Sequence, residues 1–325
     1  IINPSGEVLL NVGQKVGVYY YSTDFSEKRK RNASFNQPIL MDSRTILEKN
    51  RRPNVYRLAG PWIKPDNHKA PYPRVISHRG FNTIAPENTM PAFAAAVALG
   101  ADEIELDVWP SRDGELIVCH DRTVDRTSNG KGLISELTCK EIMELDAGSW
   151  FDKRFEGLKY STLEEILKTF AGQIIINLHI KSHNKAKSYD ETLMKRIIRL
   201  IDKYQCRDYL YAAGAADVLE TLVKIDDKIE RCCLEGYNDF TMVDKAIFYK
   251  CGKFQFTSTF FNRDMIEKAH KNNIWCNLFE SDVPEETIAY LQMGIDSILT
   301  NDLIKNMKAV RCFRSGRMEG NSSGV

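Results

Sequence analysis

The sequence has almost no net charge, no long apolar run, no paired-cysteine motif and no internal repeat, and each absence removes a class of protein. Its 45 Lys and Arg against 44 Asp and Glu sum to +1. No global field therefore holds nucleic acid or an anionic membrane surface, and any phosphate recognition must be local. No stretch reaches the ~18 apolar residues of a membrane-spanning helix. The eight cysteines include the adjacent Cys232 and Cys233 and otherwise follow no regular spacing. None forms a CxxC zinc or redox pattern, so buried reduced thiols are expected. No repeat of about 20–50 residues recurs, which argues against a solenoid. The chain opens at Ile1 with no charged segment leading into an apolar one, so a removed signal peptide is neither visible nor excluded and the compartment is left open.

What is present belongs to an ordinary globular chain: 43% hydrophobic and 27% charged residues, incompatible with disorder throughout. The 325 residues suit one large α/β barrel with an extension better than two equal halves. Residues 1–73 read as the extension. Within them, 7–12 and 15–22 resemble the arms of a hairpin, and the charge run Glu27-Lys28-Arg29-Lys30-Arg31-Asn32 reads as a solvated loop. Pro65, Pro71 and Pro73 then make a stiff approach to the next segment.

From residue 74 the pattern becomes strand, polar loop, helix, repeated. Strands are predicted at 74–77, 103–108, 115–119, 173–180, 209–213, 231–234, 253–257, 274–278 and 296–299. Helices are predicted at 90–99, 139–145, 163–170, 191–204, 217–225, 242–249, 263–271 and 285–293. Such alternation argues for parallel strands with crossover helices. Nine strands are one too many for an eight-stranded barrel. The link Trp109-Pro110-Ser111-Arg112-Asp113-Gly114 is too short for a crossover helix, so 115–119 either pairs irregularly or forms an extended return.

Active groups of such barrels stand where strands end. There the sequence places His78-Arg79 after the first strand and His120-Asp121 after the third. Two imidazoles on separate strands supply what general acid–base catalysis needs. Asn88 and Thr89, ahead of Met90-Pro91, are expected to shape a loop and cap a helix. Side chains alternate along a strand, so Glu105 and Asp107 share one face. Like charges on a flanked strand are costly unless neutralised, which a hard divalent cation or a salt-bridge network achieves. By the same alternation His179 and Lys181 share a face, and Lys181 offers an ammonium to a phosphate oxygen.

The segments His78-Arg79-Gly80, Pro86-Glu87-Asn88-Thr89, Glu105-Leu106-Asp107-Val108, Ser111-Arg112-Asp113-Gly114, His120-Asp121 and Gly294-Ile295-Asp296-Ser297-Ile298-Leu299-Thr300 together resemble the glycerophosphodiester phosphodiesterases. The resemblance runs from about residue 74 to 305 and implies a TIM (β/α)8 barrel over that span, with a tail at 306–325 after it, hydrolysing glycerophosphodiesters, a small-molecule substrate, to an alcohol and glycerol 3-phosphate. It implies His78 and His120 as the acid–base pair, Glu105 and Asp107 as ligands of one divalent metal, Mg²⁺ or Ca²⁺, and Arg79 and Lys181 as phosphate contacts. Trp275 stands near the family's late-strand tryptophan of the glycerol pocket, a core tryptophan being the other reading. One departure is expected to matter. His179 occupies the place of a glutamate ligand, so as a third metal ligand it supplies no charge and favours Mn²⁺, Ni²⁺ or Zn²⁺. The alternatives are a noncatalytic glycerophosphodiester-binding module and a phospholipase D-like enzyme acting on lysolipids.

Overall fold

The computed structural model describes residues 30–32, 40–42, 71–182, 188–236 and 240–316. Backbone contacts divide the chain into two units, Ile1–Pro65 and Asp66–Val325. In the first, β1 (Lys30–Asn32) pairs antiparallel with β2 (Leu40–Asp42). The end of the expected solvated charge run is thus strand, because Lys30, Arg31 and Asn32 find backbone partners in Asp42, Met41 and Leu40. The hairpin expected at 7–22 lies outside the described residues.

The second unit is a closed barrel of eight parallel strands. In chain order these are β3 (Arg74–Ser77), β4 (Glu103–Pro110), β7 (Ile175–Ile180), β8 (Leu210–Gly214), β9 (Arg231–Cys233), β10 (Lys253–Thr257), β11 (Trp275–Phe279) and β12 (Ser297–Thr300). The ninth predicted strand is no barrel stave. Here β5 (Leu116–Val118) folds back antiparallel on the end of β4 and pairs in turn with the short β6 (Ser161–Thr162). The Asp-Gly signal marks the tight turn between them: Gly114, at φ +79°, donates to the Ser111 carbonyl.

Helices α1 (Met90–Leu99), α2 (Cys139–Glu144), α3 (Leu163–Phe170), α4 (Glu191–Lys203), α5 (Ala216–Ile225), α6 (Met242–Phe248), α7 (Arg263–Lys271) and α8 (Pro284–Met293) occupy the predicted places. A further helix, α9 (Leu303–Arg314), fills the segment read as the start of a tail. Leu303, Met307 and Val310 are its buried stripe, at the spacing of one helix face. Capping boxes at Thr138/Glu141 and Thr162/Glu165 start α2 and α3, each satisfying orphan backbone donors.

The main core lies between sheet and helices, where Val75, Ile104, Leu106, Leu178, Phe254 and Leu278 meet the apolar helix faces. Inside the barrel the alternate residues combine polar groups with a small apolar cluster of Ile175, Ala213, Cys232 and Leu234. Toward the N-terminal end Glu103 accepts from Arg74 at 3.0 Å and from the Tyr211 hydroxyl at 2.7 Å. Both Glu103 carboxylate oxygens are thereby paired, as a buried charge requires. All eight cysteines are free, and six of them are buried. Among the described residues no helix is long and apolar enough to cross a membrane.

Candidate active site

The loop from β3 into α1 carries the first half of the site. Gly80, at φ +79°, passes so near α1 that a Cβ there would lie 2.7 Å from the Ala92 backbone carbon. Arg79 and Asn88 are also left-handed, at φ 56° and 55°, a conformation unfavourable for arginine and tolerable for asparagine. Their geometry is held by hydrogen bonds. The Asn88 N–H donates to the Arg79 carbonyl at 3.0 Å, and the Arg79 N–H to Glu105 Oε2 at 3.0 Å. Asn88 does more than shape the loop: its Nδ2 donates to Asp107 Oδ2 at 2.9 Å, and its Oδ1 accepts the Asp107 N–H at 3.2 Å. Thr89 precedes α1 but does not cap it, because its hydroxyl donates to the Pro86 carbonyl at 2.5 Å.

Glu105 and Asp107 project together from β4 into the barrel, both buried. In the parallel pairing with β7, Asp107 stands opposite His179. The ring Nδ1 is 3.1 Å from Asp107 Oδ1 and 3.9 Å from Glu105 Oε1, while Lys181 Nζ lies 2.9 Å from that same Oδ1. Burial and the neighbouring Asp107 charge lift the Glu105 carboxyl to about 7. Burial acts on Asp107 in the same direction, but Lys181 and His179 overcome it and hold that carboxyl well below the usual range. Burial and the Lys181 charge press His179 down to about 4, so its imidazole is neutral and able to act as a ligand. Donor atoms of Glu105, Asp107 and His179 lie within 4.8 Å of one another. Asp107 Oδ1 is buried and receives no aligned hydrogen bond, an acceptor suited to a cation.

The two predicted catalytic histidines each face a carboxylate. His120 Nδ1 is 2.8 Å from Asp121 Oδ1, and the His120 carbonyl accepts from Trp109 Nε1 at 3.0 Å. Arg126 spans Asp121 and Glu87, donating at 2.6 Å to each and holding the Asp121 carboxyl down to about 2. Glu87 also accepts from Arg79 at 2.9 Å. On the far side His78 Nδ1 is 2.9 Å from Asn301 Oδ1 and 3.3 Å from Glu280 Oε2. Burial lowers the His78 pKa, but Glu280 and the Glu105 charge reverse it, so the net shift is upward. For His120 burial prevails, with the Lys181 charge adding to it, and the shift is downward.

Sequence reasoning passed over Glu280, Asn301 and Arg126. The first two had a usable signal, since Glu280 directly follows β11 and Asn301 directly follows β12, the strand ends where barrel sites form. A cavity of about 220 Å³ lined by Trp109, His179, Lys181, Ser182, Ala215 and Leu234 opens beside the cluster. Trp275 does not join it. As the first residue of β11 it lies at the opposite end of that strand from Glu280, 42% exposed and stacked on Tyr72 at 3.9 Å between ring centres. Its assignment to a glycerol pocket is therefore corrected, because the strand runs away from the site before the tryptophan is reached. At that same strand end a second group, His270, Cys276 and Asp296, is closed on itself. Asp296 accepts the Cys276 N–H at 2.7 Å and lies 2.9 Å from His270 Nε2.

The chain matches the model of the glycerophosphoryl diester phosphodiesterase family over residues 78–305. It is 30% identical over 252 residues to the glycerophosphodiester phosphodiesterase of Caldanaerobacter subterraneus subsp. tengcongensis, covering 70% of this chain and 93% of that one. The crystal structure of glycerophosphodiester phosphodiesterase from Agrobacterium tumefaciens superposes with a TM-score of 0.60 at 26% identity, covering 71% and 98% of the two chains. An Oleispira antarctica phosphodiesterase, solved with its product sn-glycerol-3-phosphate, shares the fold at a TM-score of 0.66 and 22% identity, covering 74% and 97%. The matched span contains the imidazoles, carboxylates and cations gathered at one mouth of the barrel. The chain thus belongs to the glycerophosphoryl diester phosphodiesterase family and is a phosphoric diester hydrolase.

Proposed function

We propose that the chain hydrolyses glycerophosphodiesters to an alcohol and glycerol 3-phosphate through paired-histidine proton transfer beside one divalent cation. The observation that carries this reading is the Asp107 carboxylate. It meets His179 at 3.1 Å and Lys181 at 2.9 Å, with Glu105 in the same cluster. The donor set of two carboxylates and a neutral imidazole fits a divalent metal, and with one carboxylate fewer it favours Mn²⁺, Ni²⁺ or Zn²⁺ over Mg²⁺ or Ca²⁺. Such an ion supplies positive charge against the phosphoryl oxygens.

The protein's own groups do the rest. Arg79 Nε is buried without a hydrogen-bond partner, a donor available to a phosphoryl oxygen. Lys181 adds a second cation, and both oppose the charge that grows in the transition state. One histidine takes the proton of the attacking hydroxyl, and the other returns one to the departing alkoxide. Attack by the neighbouring glycerol hydroxyl passes through a cyclic phosphate, whereas attack by water gives glycerol 3-phosphate directly. Phosphorus NMR of an early time point distinguishes them. Residues 74–305 carry the activity in this reading.

The test is release of glycerol 3-phosphate from glycerophosphocholine by the wild-type chain and by Asp107→Asn. Release by the first and its loss in the second support the proposal. Tight binding without release indicates the noncatalytic module instead.

A further inference from the structure

Two histidines at one site, each beside a carboxylate, look equivalent until the carboxylates themselves are compared. Asp121 is shared: Arg126 donates to Oδ2 at 2.6 Å and to Oδ1 at 3.0 Å. Its charge is therefore largely cancelled before it reaches the His120 ring. Glu280 has no cationic side chain bound to it among the described residues. Its partners are His78 at 3.3 Å and the neutral Asn301 amide, which donates to Oε2 at 2.6 Å. Asn301 is itself fixed by Asp282, which accepts from its N–H at 2.6 Å and from its Nδ2 at 3.1 Å.

The same Asn301 presents Oδ1 to His78 Nδ1 at 2.9 Å. Both acceptors lie on one ring nitrogen, so Nδ1 carries hydrogen and Nε2 is left for the substrate. His78 is also the more enclosed of the two rings, with 8% of its side chain exposed against 35% for His120. Enclosure alone disfavours the imidazolium, and the uncancelled Glu280 carboxylate beside it opposes that effect.

We propose that Glu280, braced by Asn301, is the positioning residue of His78, fixing its Nδ1–H and holding it doubly protonated so that Nε2 delivers a proton to the leaving alkoxide. His120, beside an aspartate already claimed by Arg126, is left neutral to accept the proton of the attacking hydroxyl. In this step the attacking oxygen forms its bond to phosphorus and gives its proton to His120, the P–O bond to the alcohol breaks, and that oxygen takes the proton from His78; proton exchange with solvent then returns His120 to neutral and His78 to its doubly protonated form before the next turnover. The inference rests on the proposed paired-histidine hydrolysis.

The experiment compares wild type, Glu280→Gln and Glu280→Ala, at saturating metal, on two substrates. One is glycerophosphocholine, whose alkoxide needs a proton; the other is a glycerophospho-p-nitrophenyl ester, whose phenolate does not. Loss of proton delivery should lower kcat on glycerophosphocholine by about 10²-fold or more in Glu280→Ala. The nitrophenyl ester should change by less than about threefold, and Glu280→Gln, which keeps an acceptor without the charge, should fall between. Equal losses on both substrates in the two variants would assign Glu280 a structural role and overturn the inference. Unchanged kcat on glycerophosphocholine would overturn it as well. If wild type turns over neither substrate, it is the underlying hydrolytic reading that fails.

Discussion

His179 Nδ1 lies 3.1 Å from Asp107 Oδ1, across adjacent parallel strands in direct register. This contact joins the histidine that stands where the resemblance expects a glutamate to a carboxylate held well below its usual range. A glutamate at position 179 would add a negative charge to the cluster, and charge count is a main determinant of Mg²⁺ and Ca²⁺ affinity. His179→Glu is expected to tighten either ion by about tenfold or more, read by isothermal titration. Unchanged affinity would remove residue 179 from the metal's ligands.

Binding of the cation should also depend on pH through Glu105. Its carboxyl is raised to about 7 by burial and by Asp107, so below that pH a proton occupies an oxygen that the metal needs. Apparent affinity is expected to fall by about tenfold per pH unit below 7 and to level off above it. Titrations at several pH values check this. A profile flat down to pH 5 contradicts the role given to Glu105.

Removing either imidazole of the proposed acid–base pair should cost turnover without costing the fold. His78→Ala and His120→Ala are each expected to lower kcat by about 10²–10⁴-fold, with circular dichroism unchanged. Near-normal activity in both would sink the acid–base assignment.

Trp275 offers a control. It stacks on Tyr72 at the barrel end away from Glu280. Trp275→Ala should leave kcat/KM on glycerophosphocholine within about twofold of wild type, as for a surface substitution distant from the site. A large rise in KM would return it to the substrate pocket.

Gly80→Ala tests the scaffold under the site. The added Cβ would meet the Ala92 backbone at 2.7 Å in a left-handed conformation. A loss of about 2 kcal/mol or more in stability is expected, measured by urea unfolding, together with lowered activity as the Arg79 N–H is drawn off Glu105. Wild-type stability would show that the loop has room to relax.

The barrel was legible because buried parallel strands and amphipathic helices leave different periods in sequence. Arg74–Ser77, Lys253–Thr257, Glu191–Lys203 and Arg263–Lys271 fall where those periods place them. Of the site, Glu105 with Asp107 and His179 with Lys181 were legible for the same reason, since a period of two fixes which side chains share a face. Contacts between distant segments were not. Nothing local to Glu280 indicates that it meets His78, and nothing local to Arg126 indicates that it bridges Glu87 and Asp121; closure of the barrel brings them together. Trp275 shows the converse error, a residue type read without the direction of its strand. Helix α9 lies across residue 305, where the resemblance ends and the tail is set, although Leu303, Met307 and Val310 carry helical spacing.

The most direct test follows glycerophosphocholine by phosphorus NMR with chelator-stripped protein, before and after Mn²⁺, Mg²⁺, Ca²⁺ or Zn²⁺ is restored. The expected result is no turnover in the stripped sample and appearance of the glycerol 3-phosphate resonance once a divalent ion returns, with Mn²⁺ effective at lower concentration than Mg²⁺. Full activity in chelator, or no product with any of the four ions, would contradict the account.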